Sequence, residues 1–300
     1  MRRLAPIFIL VLLAGCEKNT GNEPLPPFEG ARPVTASNSK WISKVLEYSP
    51  APGQFVNDPT WGTWDAAQGL VGSAAGGLSL GGFGGYVIFT FDHTVLNGEG
   101  FDFVIHGNAF SGSSEPGVVM VSFDDNGNGL ADDVWYELAG SRQSAVKGYS
   151  VTYTRPSQLS TAEAVSWSDS NHTDGAMPVV APHGQSYWPL WASERESVTF
   201  SGTRLTGLAV QSGAFWNTLA AERGYADNYS DDYAQQVGSD ADTRNSNKFD
   251  ISDAVDADGA PVVLEGIDFI KVYTACNENL GLLAEMSTEV CGAISLTAGR

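Results

Sequence analysis

Basic residues are scarce in this 300-residue chain: Lys and Arg number 16 against 35 Asp and Glu, a formal net charge of −19. Such an acid surplus repels nucleic-acid phosphates and anionic lipid headgroups, which excludes a role on DNA or RNA. Cysteine is nearly absent, with three residues. Histidine is limited to His93, His106, His172 and His183, and no two stand at a zinc-ligand spacing. Beyond the N-terminus no apolar run approaches the ~20 residues a transmembrane helix needs. No stretch keeps a long 3.6-residue apolar period, so long amphipathic helices are excluded.

What the chain does have begins at its N-terminus. Arg2 and Arg3 precede an apolar run from Leu4 to Ala14, which ends in Leu13-Ala14-Gly15-Cys16. Charge, a short apolar core and small residues before a cysteine together form the signature of a lipoprotein signal peptide. We therefore expect residues 1–15 to be a signal peptide, with Cys16 lipidated. Residues 16–39, rich in Pro and Gly, read as a flexible tether, and residues 40–300 as one domain. This predicts a cell-envelope protein held by a lipid anchor at the outer membrane or cell surface. In an oxidising compartment the remaining pair, Cys276 and Cys291, is expected to form a disulfide. Closing a loop of about 15 residues would contribute roughly 3 kcal/mol in the chain-entropy model.

Short strand-like runs dominate the rest: 45–48, 86–91, 101–106, 118–123, 134–138, 205–210, 261–264, 268–273 and 293–296. Tyr149, Val151 and Tyr153 alternate with polar residues, the mark of a half-buried strand. The 34 Gly and 14 Pro fall largely between such runs and supply turns. The pattern predicts an all-β fold, a β-sandwich of jelly-roll type with long loops and a few short helical turns, at 220–223 and 252–255. The similar segments Gly100-Phe101-Asp102-Phe103-Val104 and Gly266-Ile267-Asp268-Phe269-Ile270 suggest two equivalent strands.

One constellation points to a cation. In the run from Asp124 to Asp133, oxygen side chains stand at relative positions 1, 3, 5 and 9 (Asp124, Asn126, Asn128, Asp132), with Gly129 at position 6. That order matches a calcium loop, because Ca2+ takes six to eight hard oxygens and alternate residues of a coiled loop point inward. Leu130 would add its carbonyl. Trp135 replaces the usual Glu at position 12, so Asp133 or Glu137 must substitute. Asp227, Asn228 and Asp250 form a weaker second set. Gly77-Leu78-Ser79-Leu80-Gly81 matches a nucleophile-elbow pattern, but the glycine run after it opposes the helix that motif needs. Tyr187, Trp188, Trp191, Phe215 and Trp216 offer rings to a flat ligand or to the core.

Several segments resemble a family of bacterial cell-surface proteins, many of them lipoproteins with PKD-like modules at the N-terminus. They are residues 46–55, 79–85, 107–110, Ser114-Glu115-Pro116-Gly117, 135–140, 224–228, 249–252 and 266–272. The resemblance spans residues 42–295 and has a tether where relatives carry those modules. It implies association with outer-membrane uptake systems, including those for cobalamin. The resulting expectation is a calcium-stabilised, non-catalytic lipoprotein that binds a glycan, a cobalamin-like cofactor or a partner protein such as an outer-membrane transporter. The alternatives are a polysaccharide-acting hydrolase and a purely structural or adhesive surface protein.

Overall fold

A computed structural model describes residues 28–297 except Ala181 and Ala214. The signal peptide, Cys16 and the first part of the expected tether lie outside the described residues. Among those described, no helix is long and apolar enough to cross a membrane.

The fold is all-β, and every named strand pairing is antiparallel. With strands numbered in chain order, the largest sheet runs β1 (Lys44–Ser49), β3 (Tyr86–Leu96), β15 (Gly266–Thr274), β5 (Gly117–Ser122), β6 (Tyr136–Leu138), β14 (Ala254–Val255). A three-stranded sheet, β13 (Ser246–Phe249), β4 (Phe103–His106) and β17 (Gly292–Ser295), shares its core. Phe89, Phe91, Val119, Val121, Ile270 and Val272 from the first sheet meet Phe103, Ile105, Phe249 and Ala293 from the second. That is a β-sandwich. The chain passes from β3 in one sheet to β4 in the other and back to β5, a crossing pattern of jelly-roll kind. A two-residue ladder of β2 (Leu78–Ser79) and β16 (Glu289–Val290) closes one end of the core through Leu78 and Val290.

A second sheet system, β10 (Ser197–Arg204), β7 (Val146–Thr154), β8 (Val165–Asp169) and β9 (Asp174–Met177), covers another core. There Tyr149, Val151 and Tyr153 point inward, as their alternation predicts, against Phe83, Trp188 and Phe200. The hairpin β11 (Ala209–Ser212) and β12 (Phe215–Thr218) borders a third core with Leu205, Leu208, Tyr273, Cys276 and Met286. Strand β15 feeds the first and third cores from its two faces, which is why its sequence is apolar almost throughout rather than alternating.

Several expectations need correction. Cys276 and Cys291 are both free. Cys276 is buried in the third core, whereas the backbone of Cys291 is fastened to His106 on β4 in the small sheet. A disulfide needs Cβ atoms about 3.5–4.5 Å apart, and these two cysteines are held by different layers. The Phe-Asp-Phe and Ile-Asp-Phe segments lie in different sheets. What they share is a buried carboxylate: Asp102 accepts from the backbone N–H groups of Gly98 and Ile251, and Asp268 from Arg32 and Thr94. Residues 220–223 form no helix, while residues 251–253 form a single 3-10 turn. The five-residue helix Trp64–Gln68, capped by the Thr63 hydroxyl, was not expected. The chain from Phe28 to Ser39 lies against the sandwich: Phe28 packs on Phe123, and Arg32 reaches Asp268, Thr90 and the carbonyls of Phe91 and His93.

Candidate functional site

Two places gather chemistry, and they lie at opposite ends of β5. The strand spans six residues, about 20 Å. Asp124 follows its C-terminal end and Glu115 precedes its N-terminal end.

At the C-terminal end, the loop from Asp124 to Asp133 coils on itself. Asp124 accepts from the N–H groups of Asn128 and Gly129, at 3.0 and 2.9 Å. Asn126 Oδ1 accepts from Asn128, and Asn128 Oδ1 from Leu130. The amide groups of Asn126 and Asn128 donate to Asp132, and that of Asn126 also to Asp133. Gly127 and Gly129 have φ of +68° and +74°, a left-handed bend that side chains disfavour. The residues singled out by their spacing are thus joined to one another by hydrogen bonds. Asp133 Oδ2 is enclosed with no hydrogen-bond partner. Its carboxyl is pushed above the usual range by local desolvation, then by the charges of Asp132, Asp124 and Asp125. The donor set is hard oxygen and suits calcium. The loop is tied to the sandwich where the Asp124 N–H donates to Asp268 Oδ2.

The second set does not assemble as a group. Asn228 donates to the carbonyls of Ala221 and Glu222 and accepts nothing at Oδ1. Asp250 accepts from the Ser252 N–H and caps the turn after β13. Asp227 does converge with other acids, but these are Glu115 and Glu289, whose oxygens lie within 4.8 Å of one another. Fully buried, Asp227 sits at φ +51° and accepts from the N–H groups of Asn108 (2.9 Å) and Glu289 (3.0 Å). Glu115 accepts from the Ser287 N–H at 3.1 Å. A fourth acid, Glu285, is 6% exposed; its Oε1 accepts from the Gln54 N–H and its Oε2 has no partner.

No ion pair among the described residues involves any of these four. Burial drives their carboxyls towards the neutral form. Glu115 is pushed up to about 8 by burial and then by the charge of Asp227. Asp227 and Glu285 are each pushed up to about 7, mainly by burial. Glu289 moves in the same direction, through burial and then the charges of Glu115 and Asp227. Both Asp227 oxygens face backbone donors, as both Asp124 oxygens do in the acidic loop, and burial favours the protonated form of the cluster's carboxyls.

Glu115 also forms the floor of a cavity of about 480 Å3. The turn from Phe110 to Ser113, closed by reciprocal backbone hydrogen bonds and bent at Gly112 (φ +84°), forms one wall. Trp216 and Thr218 on β12 form another, with Gln54, Phe55, His183, Leu282 and Leu283 completing the mouth. Phe55 meets His183 edge-on at 4.5 Å between ring centroids. Phe110 is 63% exposed and Leu282 90%. Among the carboxylates only Glu115 lines this cavity. The volume falls in the range of small-molecule sites, which are mostly apolar with a few placed polar groups.

The other candidates have structural roles. Ser79 is buried, and its hydroxyl meets that of Ser287 at 2.7 Å, so it is no exposed nucleophile. Tyr187 and Trp188 fill the second core; Trp191 is partly exposed. His93 within β3 and His106 at the end of β4 are both buried, paired with Ser295 and with the Asp242 carbonyl. Glu115 and Asp227 both lie in segments that carry the family resemblance, yet nothing in linear order joins them to each other or to Glu289. No protein-family model matches the chain, and no curated protein matches its sequence.

Proposed function

We propose that this chain is a lipid-anchored cell-surface protein that captures a small ligand in the cavity floored by Glu115, with calcium bracing the far end of β5. The observation that carries this reading is the cavity itself. It carries Phe55, Phe110 and Trp216 in its lining, and the segments that form it are drawn from five separate parts of the chain. A smooth sandwich serving only adhesion has no need of it.

The hydrolytic alternative requires two carboxyls facing the substrate, roughly 5–9.5 Å apart. Here Glu115 is the one acidic residue among the described residues that line the cavity, which supports binding over glycosidic chemistry. Size restricts the ligand as well. A whole corrinoid exceeds 480 Å3, so a cobalamin-like molecule would insert only a part of itself. The calcium element rests on the convergence of Asp124, Asn126, Asn128, Asp132 and Asp133, with the Leu130 carbonyl as a further ligand. The anchor rests on the residues around Cys16.

A thermal-shift screen with glycans, corrinoids and small aromatic compounds tests the cavity, because a ligand selective for the folded state raises the melting temperature. The expected result is a hit whose shift is lost in Trp216→Ala and retained in Trp191→Ala. A hit indifferent to Trp216→Ala would place binding elsewhere and remove the reading.

A further inference from the structure

The floor and the walls of this cavity suit different halves of one ligand. Its lining sets the rings and leucine methyls of Phe55, Phe110, Trp216, Leu282 and Leu283 beside the polar groups of Gln54, Ser111, Ser113, Asn217 and Thr218. At the floor stands Glu115, backed by Asp227 and Glu289 and within the field of Glu285. The Glu285 Oε2 is buried without any partner.

Glu115, Asp227 and Glu289 crowd together, with Glu285 close enough to act on Glu115, and no ion pair among the described residues involves any of them. Here the side-chain cations resolved in contacts are engaged elsewhere. Lys248 Nζ donates to three carbonyls, those of Asp232, Tyr233 and Ser246. Arg32 is held by Asp268, Arg142 by the Thr206 carbonyl and Glu222, and Lys40 by Asp240 and Asp242. The cavity offers a positive charge an approach to the cluster at Glu115.

Resting on the cavity reading above, we propose that the ligand is an organic cation: a primary ammonium on an apolar or aromatic body. The ammonium sits on Glu115, and the body lies between Trp216, Phe110 and the leucines. Three physical effects favour it. An ammonium that pairs with Glu115 does so in a low-dielectric setting where screening is weak. The faces of Trp216 and Phe110 carry negative quadrupole density that attracts an ammonium in passage. The body removes apolar wall surface from water. An anionic ligand brings a like charge to an acid cluster. A sugar can hydrogen-bond Gln54, Ser111, Ser113, Asn217 and Thr218 but brings the cluster no counter-ion. When the ammonium arrives, the proton that Glu115 shares with its neighbours is released to solvent, so the complex is locally neutral before and after binding.

Isothermal titration of the intact mature protein at pH 7.5 with three matched probes tests this: phenethylamine, 2-phenylethanol and 3-phenylpropionate. The amine is expected to bind at least about tenfold more tightly than the alcohol, with no detectable heat from the acid. Glu115→Gln should reduce the amine to the affinity of the alcohol while leaving the alcohol within about twofold. Trp216→Ala should weaken both. Equal affinity of amine and alcohol in the unmodified protein would overturn the charge preference and leave the cavity as a neutral apolar site. That comparison does not depend on any variant folding. If none of the probes binds, the cation inference fails, and if the broader screen is also silent, the cavity reading fails with it.

Discussion

Asp227 shows how much a single residue can demand of its neighbours. Its side chain is turned into the fold at a positive φ, a conformation that costs a non-glycine residue roughly 1–3 kcal/mol and persists only where surroundings enforce it. Gly107 is part of that enforcement: a Cβ there would lie 2.4 Å from Asp227 Oδ1 and 2.7 Å from its Cα. Gly107→Ala should therefore lower stability by about 1–3 kcal/mol, the usual range for overpacking, read as a lower urea midpoint at unchanged slope. Arg32 makes a second residue-scale case. It donates to Asp268 through Nε and a terminal nitrogen, at 3.1 and 3.0 Å, and also to the Phe91 carbonyl. Arg32→Ala should cost about 2 kcal/mol, since hydrogen bonds to charged groups are worth roughly 1.5–3. Arg32→Lys should recover only part of that, because an ammonium lacks the guanidinium fork. Neither role is legible in the sequence. Arg32 stands in a Pro-rich stretch that reads as a tether, and its partner is 236 positions away.

Elements that follow a single local rule were legible. Strands β3, β5, β7 and β15 are long, β-branched or aromatic, and bounded by turn residues, so composition alone places them. Strands β2, β13, β14 and β16 have two to four residues and exist because a neighbour offers free N–H and C=O groups. Three of the four residues in Ser246–Phe249 are polar, yet all four are buried, with Asn247 bonded to Asn228 and Lys248 to carbonyls. No periodicity announces such a strand. The acidic loop after β5 is the reverse case, where spacing alone picked out side chains that converge in space. If it holds calcium, adding Ca2+ to EDTA-treated protein should raise the melting temperature. At a hundredfold excess over the dissociation constant the gain is about 2.7 kcal/mol. Asp124→Ala or Asp132→Ala should abolish the response. Because the loop and the cavity sit at opposite ends of β5, ligand affinity should change little on adding calcium, and a large change would break this separation of roles.

For the whole molecule, the dominant fact is negative charge, and the sign of its pH dependence follows from where that charge is buried. Glu115, Asp227 and Glu285, raised to about 8, 7 and 7, take up protons on folding, as does Glu289. The groups that face them from neighbouring elements, Tyr48, Tyr153, Tyr233 and Cys291, are all pushed upward too and stay neutral in this range. Between the ordinary carboxylate range near 4 and the raised values near 7 to 8, the folded state thus holds more protons than the unfolded chain. Stability must fall as pH rises through that window, by about 1.4 kcal/mol per pH unit for each proton of difference. Below it, Asp92, Asp169 and Asp240 act the other way. Backbone and side-chain hydrogen bonds hold their carboxyls low despite some desolvation, and their contribution is lost as pH drops through those lowered values. Maximal stability should accordingly lie near pH 4, at the foot of that window, with a descending limb to pH 8. Urea midpoints measured from pH 2 to 9 in EDTA, which removes divalent cations, would trace both limbs. Glu115→Gln combined with Glu289→Gln removes two of the acids that take up protons and should flatten the upper limb while leaving the lower one in place. A midpoint that climbs steadily to pH 8 would mean that the four buried acids are ionised in the folded protein and balanced by a positive charge that entered with it.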